Sequence, residues 1–509
     1  MANLPDVKFT ISSNGLGRPL DGKDHYSGMP FYTASYPSGF SVTNKINKVF
    51  SLADVEALGI KGDYSSEIKA TGGNYALSVT SATNGDAVEF KVTALGKTIS
   101  LGIVTWITGM TPTTFAAAAR VAINTLTTAH GFVAGGSVGN VLLTAAPGYG
   151  VNINGGSALT AIVTGTVTAP TITQFASGVN DPFINIWYQA KRYFLRQPKG
   201  ILWLGIFPST GTIDFAEITT MQNFASGEIR LFGVYSNIND TSFAQSQVTA
   251  LQSVANVLYD LHTPIDIIYT PNIYGTALGS LVDISAFGCK DVVIDIGQDG
   301  GNMGAKLGIY LGRSIGSLGA LLGTAALASV SDNLGWVAKY NVAVDDAEFA
   351  IPAFSNGVLY RDQPASLINS LYSYQYTFLK THIGITGTYF VDAKTATVPT
   401  SDYCTLENNR TIKKAIRNVR ASILPQLSGP IYVDATTGKL TNETIGYLES
   451  LANAPIEQME KDGELSGHKV IINPNQDVLS TSNIVMTILN VPVGVSRTFN
   501  INIGYVTKV

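Results

Sequence analysis

The sequence has only two cysteines, Cys289 and Cys404, among its 509 residues. A disulfide framework is therefore excluded, and we expect synthesis in the cytoplasm. Charged residues are also scarce, at 13% of the chain, which is about half the usual share. Much of the surface must be neutral or apolar, and such a surface favours burial between subunits over existence as a free monomer.

The chain has no excess of positive charge, since its formal net charge is −4. This balance gives no field that would attract nucleic acid or an anionic membrane. The opening residues MANLPDVKFT have neither the basic nor the apolar region of a secretory signal, so we expect none. The longest apolar-leaning run, 307–330, is interrupted by Arg313, serines and glycines, and we therefore expect no membrane insertion.

Patterns for metal and phosphate binding are weak. The five histidines lie far apart, and neither cysteine has a partner at C-x-x-C spacing. Glycines at 297, 300, 301 and 304 follow a predicted strand, but their spacing fits no phosphate-binding motif. We predict no metal site, no cofactor and no catalytic residue.

The strongest enzymatic pattern is G-x-S-x-G at 312–316, centred on Ser314. In hydrolases this turn exposes a nucleophilic serine between a parallel strand and a helix. The preceding strand DVVIDI lies too close in sequence for the crossover that parallel strands require. An α/β hydrolase using Ser314 is therefore kept only as an alternative function.

Between 182 and 297, predicted helices and continuous apolar strands alternate. Examples are INIWYQAKRYFLRQ followed by GILWLGIF, and SFAQSQVTALQSVANVLYDL followed by IDIIYTP. This alternation predicts a layered α/β domain with a mainly parallel sheet. Further along, we expect helix over 305–330 and a tyrosine-rich helix over 366–382.

Changes in composition divide the chain into four parts. Residues 75–178 are almost uncharged and consist of short strand-like segments, with one predicted helix at 112–126. The fold class is therefore a multidomain α/β protein with an inserted β-rich domain and an α+β C-terminal domain. The predicted divisions are an N-terminal arm and start of the core (1–72, with loops to about residue 40), an exposed insert (73–178), the α/β domain (179–385) and the C-terminal domain (386–509).

Both ends of the chain show the alternation of a half-buried strand. The last stretch, Ile484–Val509, ends in a predicted strand from Phe499 onward, and the first residues show the same pattern. Such strands either pair within their own chain or complete a neighbour's sheet. The candidate exchange residues are Val7, Phe9, Ile11, Phe499, Ile501, Ile503 and Tyr505.

Two helices predicted in the C-terminal domain carry opposite charges. One has a basic face and the next, capped by Thr441, is acidic. Each is either a solvated face or a contact between neighbouring subunits. The candidate intersubunit charges are Lys413, Lys414, Arg417 and Arg420 on the first helix, and Glu443 and Glu449 on the second.

Several segments resemble the contractile-tail sheath proteins of bacteriophages, particularly the Mu-like sheath group. They are VKFTISSNGLGR (7–18), ASVSDNLGWVAKYNV (328–342), TGTYFVDAKTAT, NNRTIKKAIRNVRASILPQL and the closing strand. The resemblance covers most of the chain except the β-rich insert.

This resemblance implies a structural subunit rather than an enzyme. Its members stack as hexameric rings around an inner tail tube in the virion, between baseplate and tail terminator proteins. Their terminal arms donate strands to neighbouring subunits, and release of a trapped extended state contracts the lattice and drives the tube through the target envelope. Another virion or surface-layer structural protein is the remaining alternative.

Overall fold

The computed structural model describes residues 22–209, 214–237, 239–240, 242–343 and 346–506. Its strands are β1 (Tyr26–Thr33), β2 (Ile46–Val49), β3 (Gly73–Ala76), β4 (Ala87–Ala94), β5 (Lys97–Thr105), β6 (Val133–Gly135), β7 (Asn140–Thr144), β8 (Leu159–Thr164), β9 (Thr171–Thr173), β10 (Ile201–Pro208), β11 (Leu231–Tyr235), β12 (Asp266–Thr270), β13 (Cys289–Ile294), β14 (Gly297–Asp299), β15 (Pro352–Phe354), β16 (Leu379–His382), β17 (Ile385–Phe390), β18 (Thr395–Ala396), β19 (Leu465–Ile472) and β20 (Met486–Pro492).

The α-helices connect these strands. They are α1 (Leu52–Ala57), α2 (Pro112–Thr125), α3 (Thr127–His130), α4 (Ile184–Arg196), α5 (Glu217–Phe224), α6 (Gln245–Asp260), α7 (Met303–Leu311), α8 (Leu318–Leu327), α9 (Ala365–Ser373), α10 (Leu406–Ile423), α11 (Asn442–Lys461) and α12 (Val478–Thr481). The described chain is thus a mixed α/β structure with several sheets, in agreement with the predicted class.

A seven-stranded sheet in the order β18-β13-β12-β11-β1-β10-β2 organises the body. The five inner strands are parallel, and the two edge strands are antiparallel to them. Side chains alternate between the faces, so that Leu202 and Leu204 of β10 pack with α4 and α8 while Trp203 packs with α5 and α6. Helices thus cover both faces, as buried parallel sheets require.

The region 70–175 has an apolar core of its own. It contains a four-stranded sheet, β6-β7-β3-β9, and a three-stranded sheet, β5-β4-β8, with α2 packed against them. Main-chain hydrogen bonds between Ile68 and Val179, and between Thr71 and Ala176, bring the entering and leaving segments together. The amide of Asn152 donates to the carbonyl of Tyr310 at 2.8 Å and ties this region to α7.

Three predictions from the sequence need correction. The predicted loops before residue 40 contain β1, which lies between β10 and β11 near the centre of the sheet. The helix expected over 305–330 is divided into α7 and α8, because Gly312 and Gly316 have the positive φ of a turn, +62° and +76°. The tyrosine-rich segment is helical only through Ser373, and β16 follows it.

The C-terminal part combines α10, α11 and a two-stranded antiparallel sheet of β19 and β20. Thr441 caps α11 as predicted, its hydroxyl accepting from the N–H of Thr444 at 3.2 Å. The cores here are small, and one of them contains Ala452, Ile456 and Met459 of α11. This part therefore has much less buried apolar surface than the body.

Candidate assembly interface

The terminal segment 493–506 follows β20 and contains no helix or strand. Its alternating apolar side chains are almost fully exposed: Phe499 by 80%, Ile501 by 77%, Ile503 by 93% and Tyr505 by 109%. In the described part of the chain, none of the four lies in a strand pairing. The predicted alternation is present, but the described residues of the same subunit provide no sheet for it.

The sheet of β19 and β20 leaves two edges open, because each strand pairs only with the other in the described structure. Its inner side chains, including Val470 and Ile488, pack toward the helices. On its outer face Ile471, Leu489 and Val491 are 38 to 55% exposed. Two-stranded sheets are only marginally stable alone, and open edges bind further strands. The surface is suited to accept a strand from another chain.

The N-terminal exchange candidates, Val7, Phe9 and Ile11, lie outside the described residues. The described chain nevertheless begins close to the open sheet. The carboxylate of Asp24 lies 3.0 Å from Nζ of Lys414, and this ammonium lies 2.6 Å from Glu464, the residue directly before β19. The described part of the chain therefore begins close to the start of β19.

Three of the four predicted basic residues are paired within the chain. Nζ of Lys413 lies 2.6 Å from Asp266 and also contacts Asp291, and all three side chains are buried. Burial alone would lower the pKa of Lys413, but the two carboxylates outweigh it and raise that pKa.

Lys414 and Arg417 also have partners in the same chain, since both bind Asp24. The basic face of α10 is thus directed mainly into its own subunit, which corrects the expectation that all four of its cations are available to a neighbour. Arg420 and Glu443 are exposed, whereas Glu449 accepts the N–H of Ile472 at 3.2 Å and fixes the end of β19 to α11. Contacts of Arg420, Glu443 and Glu449 with another subunit stay predictions.

The segment between β20 and the apolar residues is fixed to the body by Arg497. Its Nε lies 2.7 Å from Oδ2 of Asp392, and its guanidinium also contacts Glu407. Arg497 outweighs the effect of burial and holds the pKa of Asp392 below its usual value. Burial and the nearby charge of Asp392 raise the pKa of Glu407. Sequence reasoning missed this cluster, although Arg497 and Lys508 are the only charges in 484–509.

A groove of about 820 Å³ lies between this anchored segment and the body. Residues 493–499 form one wall. The opposite wall carries aromatic, aliphatic and cationic side chains, including Trp336, Ile368, Tyr372, Phe378, Lys380 and His382. The first part of the terminal segment therefore lies along the body, and the exposed apolar side chains of the predicted strand begin at Phe499.

Ser314 does not have the environment of a hydrolase nucleophile. It is fully buried in the turn between α7 and α8 and does not follow a strand. Its hydroxyl donates to the carbonyl of Ser355 at 2.7 Å and accepts the N–H of Ile273 at 2.9 Å. The serine therefore connects three segments of the core, and the hydrolase alternative has no support.

The backbone N–H groups at the start of α7, after the glycine-rich loop, are already bound by carboxylates of the same chain. Asp299 accepts the N–H of Asn302 at 2.6 Å, and Glu348 accepts the N–H of Gly304 at 2.8 Å. These carboxylates already occupy the positive end of the helix. Among the described residues there is also no group of three metal-ligating side chains, and no helix is long and apolar enough to cross a bilayer.

Comparison with known proteins gives one match to a family model. Residues 402–509 match the C-terminal domain of the family DUF2586. This match includes α10, α11, β19, β20 and the exposed terminal segment. No curated protein sequence matches the chain.

Similar solved structures include sheath proteins of contractile particles. The contracted helical sheath of the anti-feeding prophage is 12% identical (TM-score 0.42; 65% of this chain and 84% of that chain). The contracted PVC sheath of an extracellular contractile injection system is 11% identical (0.43; 64% and 81%). A sheath tail protein from Listeria innocua is 10% identical (0.40; 93% and 96%). Similarities of this size do not assign a function to this chain.

Proposed function

We propose that this protein is the structural subunit of a contractile tail sheath, which polymerises as stacked hexameric rings around an inner tube. The observation that carries the proposal is the exposed alternation from Phe499 to Tyr505 beside a two-stranded sheet with open edges. A subunit that exposes a segment with the pattern of a strand, and also has an open sheet edge, is suited to link with copies of itself.

Strand exchange is the proposed link. The segment 499–506 has eight residues, the same number as β19. In extended form it spans roughly 26 Å at about 3.3 Å per residue. Added to an edge of a neighbour's β19–β20 sheet, the arm would place its apolar residues on one face and Asn500, Asn502 and Gly504 on the other. The segment containing Val7, Phe9 and Ile11 is proposed as a second donated strand, because Asp24, near the start of the described chain, lies close to the start of β19.

The proposed domain layout follows the four divisions predicted from the sequence. The α/β domain (179–385) and C-terminal domain (386–509) form the lattice, with 1–72 supplying the first arm and the start of the core. The insert (73–178) faces outward, and its separate core supports this assignment. The remaining charge contacts between subunits involve Arg420, Glu443 and Glu449.

The proposed mechanism uses packing and needs no cofactor or catalytic residue. The extended sheath is a trapped assembly, and contraction forms additional contacts between subunits. Each additional buried apolar area of roughly 100 Å² yields about 2.5 kcal/mol before the costs of association. Summed over many subunits, such gains drive the tube through an envelope, while exchanged strands keep the rings connected. The proposed partners are further copies of this chain, the tube protein, and baseplate and terminator proteins of a virion tail.

Negative-stain microscopy of the purified full chain over a range of concentrations tests this function. Hollow cylinders are expected. Flat lattices would favour the alternative of another virion or surface-layer structural protein, and discrete particles at every concentration would contradict the proposal.

A further inference from the structure

Arg497 lies between the last strand and the exposed apolar arm, and it binds two distant parts of the chain. Asp392 follows β17, whereas Glu407 lies in the first turn of α10. The side chains of these two carboxylates are only 2% and 3% exposed. One guanidinium therefore joins the start of the arm to two separate elements of the body.

The other contacts of this carboxylate pair come from neutral groups. The amide of Asn333 donates to Asp392 and, at 3.1 Å, to Glu407, and the hydroxyl of Tyr372 donates to Asp392 at 3.2 Å. Among the residues that the structure describes, no second Lys or Arg forms an ion pair with either carboxylate. Withdrawal of Arg497 would leave two buried carboxyl groups without their ion-paired cation, which is strongly unfavourable.

The geometry also explains why arginine suits this position. Nε and one terminal nitrogen of Arg497 both contact Asp392, at 2.7 and 3.3 Å, while the terminal nitrogen also contacts Glu407. Only the planar guanidinium fork presents several donors in fixed directions. A lysine would keep the charge but would lose this arrangement.

We propose that Arg497 is the fixed point of the C-terminal arm, so that residues up to 497 stay with their own subunit and the donated strand begins at Phe499. This inference rests on the proposed sheath function and assigns a positioning residue to strand exchange. Fixing the start of the arm sets both its direction and the register in which it meets a neighbour's sheet. The anchor thus reduces the number of conformations that assembly must select.

Trypsin tests the anchor on the free subunit, because it cleaves after Arg497 only when that side chain is released. Cleavage after the exposed Lys439, in the segment between α10 and α11, serves as the internal control. We expect slow cleavage after Arg497 in the unchanged protein and at least about tenfold faster cleavage in the double variant Asp392→Asn/Glu407→Gln, with the Lys439 rate unchanged.

Arg497→Lys is a second variant that leaves both carboxylates in place, and trypsin still cleaves after lysine. Cleavage at position 497 should again be faster, because the forked contact is lost. Equal rates at position 497 in the unchanged protein and both variants, measured by intact mass, would overturn the anchor.

An assembly assay then distinguishes a positioning role of Arg497 from simple compensation of the two buried carboxylates. In the triple variant Arg497→Ala/Asp392→Asn/Glu407→Gln, no buried carboxylate is left without a cation, so the fold has no need of Arg497. We expect the concentration required for tubes to rise at least about tenfold, since the arm has lost its fixed direction. Lys97→Ala, which removes an exposed cation from the insert, should assemble normally.

Normal assembly of the triple variant would overturn the positioning role. A protein that forms no tubes in its unchanged form would instead contradict the sheath function, while the protection of Arg497 from trypsin would still establish the anchor. The two failures are therefore distinguishable.

Discussion

The insert and the C-terminal end place their apolar residues differently. In the insert, Phe90, Phe115, Phe132 and Phe175 are buried in a core formed within 70–175. At the C-terminal end, the apolar residues of the arm are exposed, and the nearby sheet has two open edges. The insert buries its apolar residues within the single chain, whereas the C-terminal end leaves apolar residues exposed and sheet edges unpaired in the described structure.

This difference shows that the meaning of an exposed apolar residue depends on whether its backbone is already paired in a sheet. The insert also exposes Ile103 and Ile162, but both lie on strands whose backbones are paired within the chain. Single exposed apolar residues are normal on protein surfaces. In the arm, alternating apolar side chains coincide with a backbone that has no strand partner among the described residues, and this combination supports the proposed interface.

The largest effect is expected from deleting Phe499–Val509. The truncated protein should stay folded, because the described residues 499–506 contribute no core, but it should form no tubes. Microscopy measures the tubes, and thermal unfolding measures the fold. Tubes of normal length from the truncated chain would show that the arm does not link subunits.

Lys413→Ala should strongly destabilise the body, because it leaves Asp266 and Asp291 buried without their cation. We expect a loss of about 3–5 kcal/mol in the free energy of unfolding, against less than about 0.5 kcal/mol for Arg420→Ala on the same helix. Denaturant titration measures both. If both variants lose only a small and similar amount of unfolding free energy, the ion pairs of Lys413 do not stabilise the body. In that case α10 would belong with the open C-terminal end.

A single polar substitution in the arm should weaken assembly without affecting the fold. Ile503→Asn removes an apolar contact from the donated strand, so the concentration required for tubes should rise about tenfold, as expected for a loss of roughly 1.4 kcal/mol. Ile162→Asn on the insert is the matched control and should leave that concentration unchanged. Equal effects of the two substitutions, measured by sedimentation, would remove the distinction between the regions.

The smallest effect on assembly is expected from removing the insert. Thr71 and Ala176 exchange main-chain hydrogen bonds, so a short glycine linker can replace 73–174 without moving the ends. Tubes should form at nearly the same concentration as with the full chain. Loss of polymerisation by a folded variant would show that the insert belongs to the lattice.

The sequence predicted the parts of the fold that local patterns determine. The alternation from α4 to β13 was visible because apolar strands are separated there by amphipathic helices. By contrast, β1 was missed because Gly28 and Pro30 are unfavourable in strands, and only its position between β10 and β11 compensates for them.

The candidate interface was predictable only in part. The alternation from Phe499 is local and could be recognised in the sequence, whereas the partners of charged residues could not. Lys413 lies more than 120 positions from Asp266 and Asp291 in the chain, and Arg497 is similarly far from Asp392. Such pairs depend on tertiary structure, so a basic helix face could not be distinguished from a buried ion-pair network.

A density map of the assembled protein in which residues 493–506 can be traced from their own subunit tests the central claim most directly. We predict that the chain stays with its own subunit to Arg497 and then pairs, from Phe499 onward, with an edge of a neighbour's β19–β20 sheet. An arm that pairs with the sheet of its own subunit in the assembled state would contradict the account.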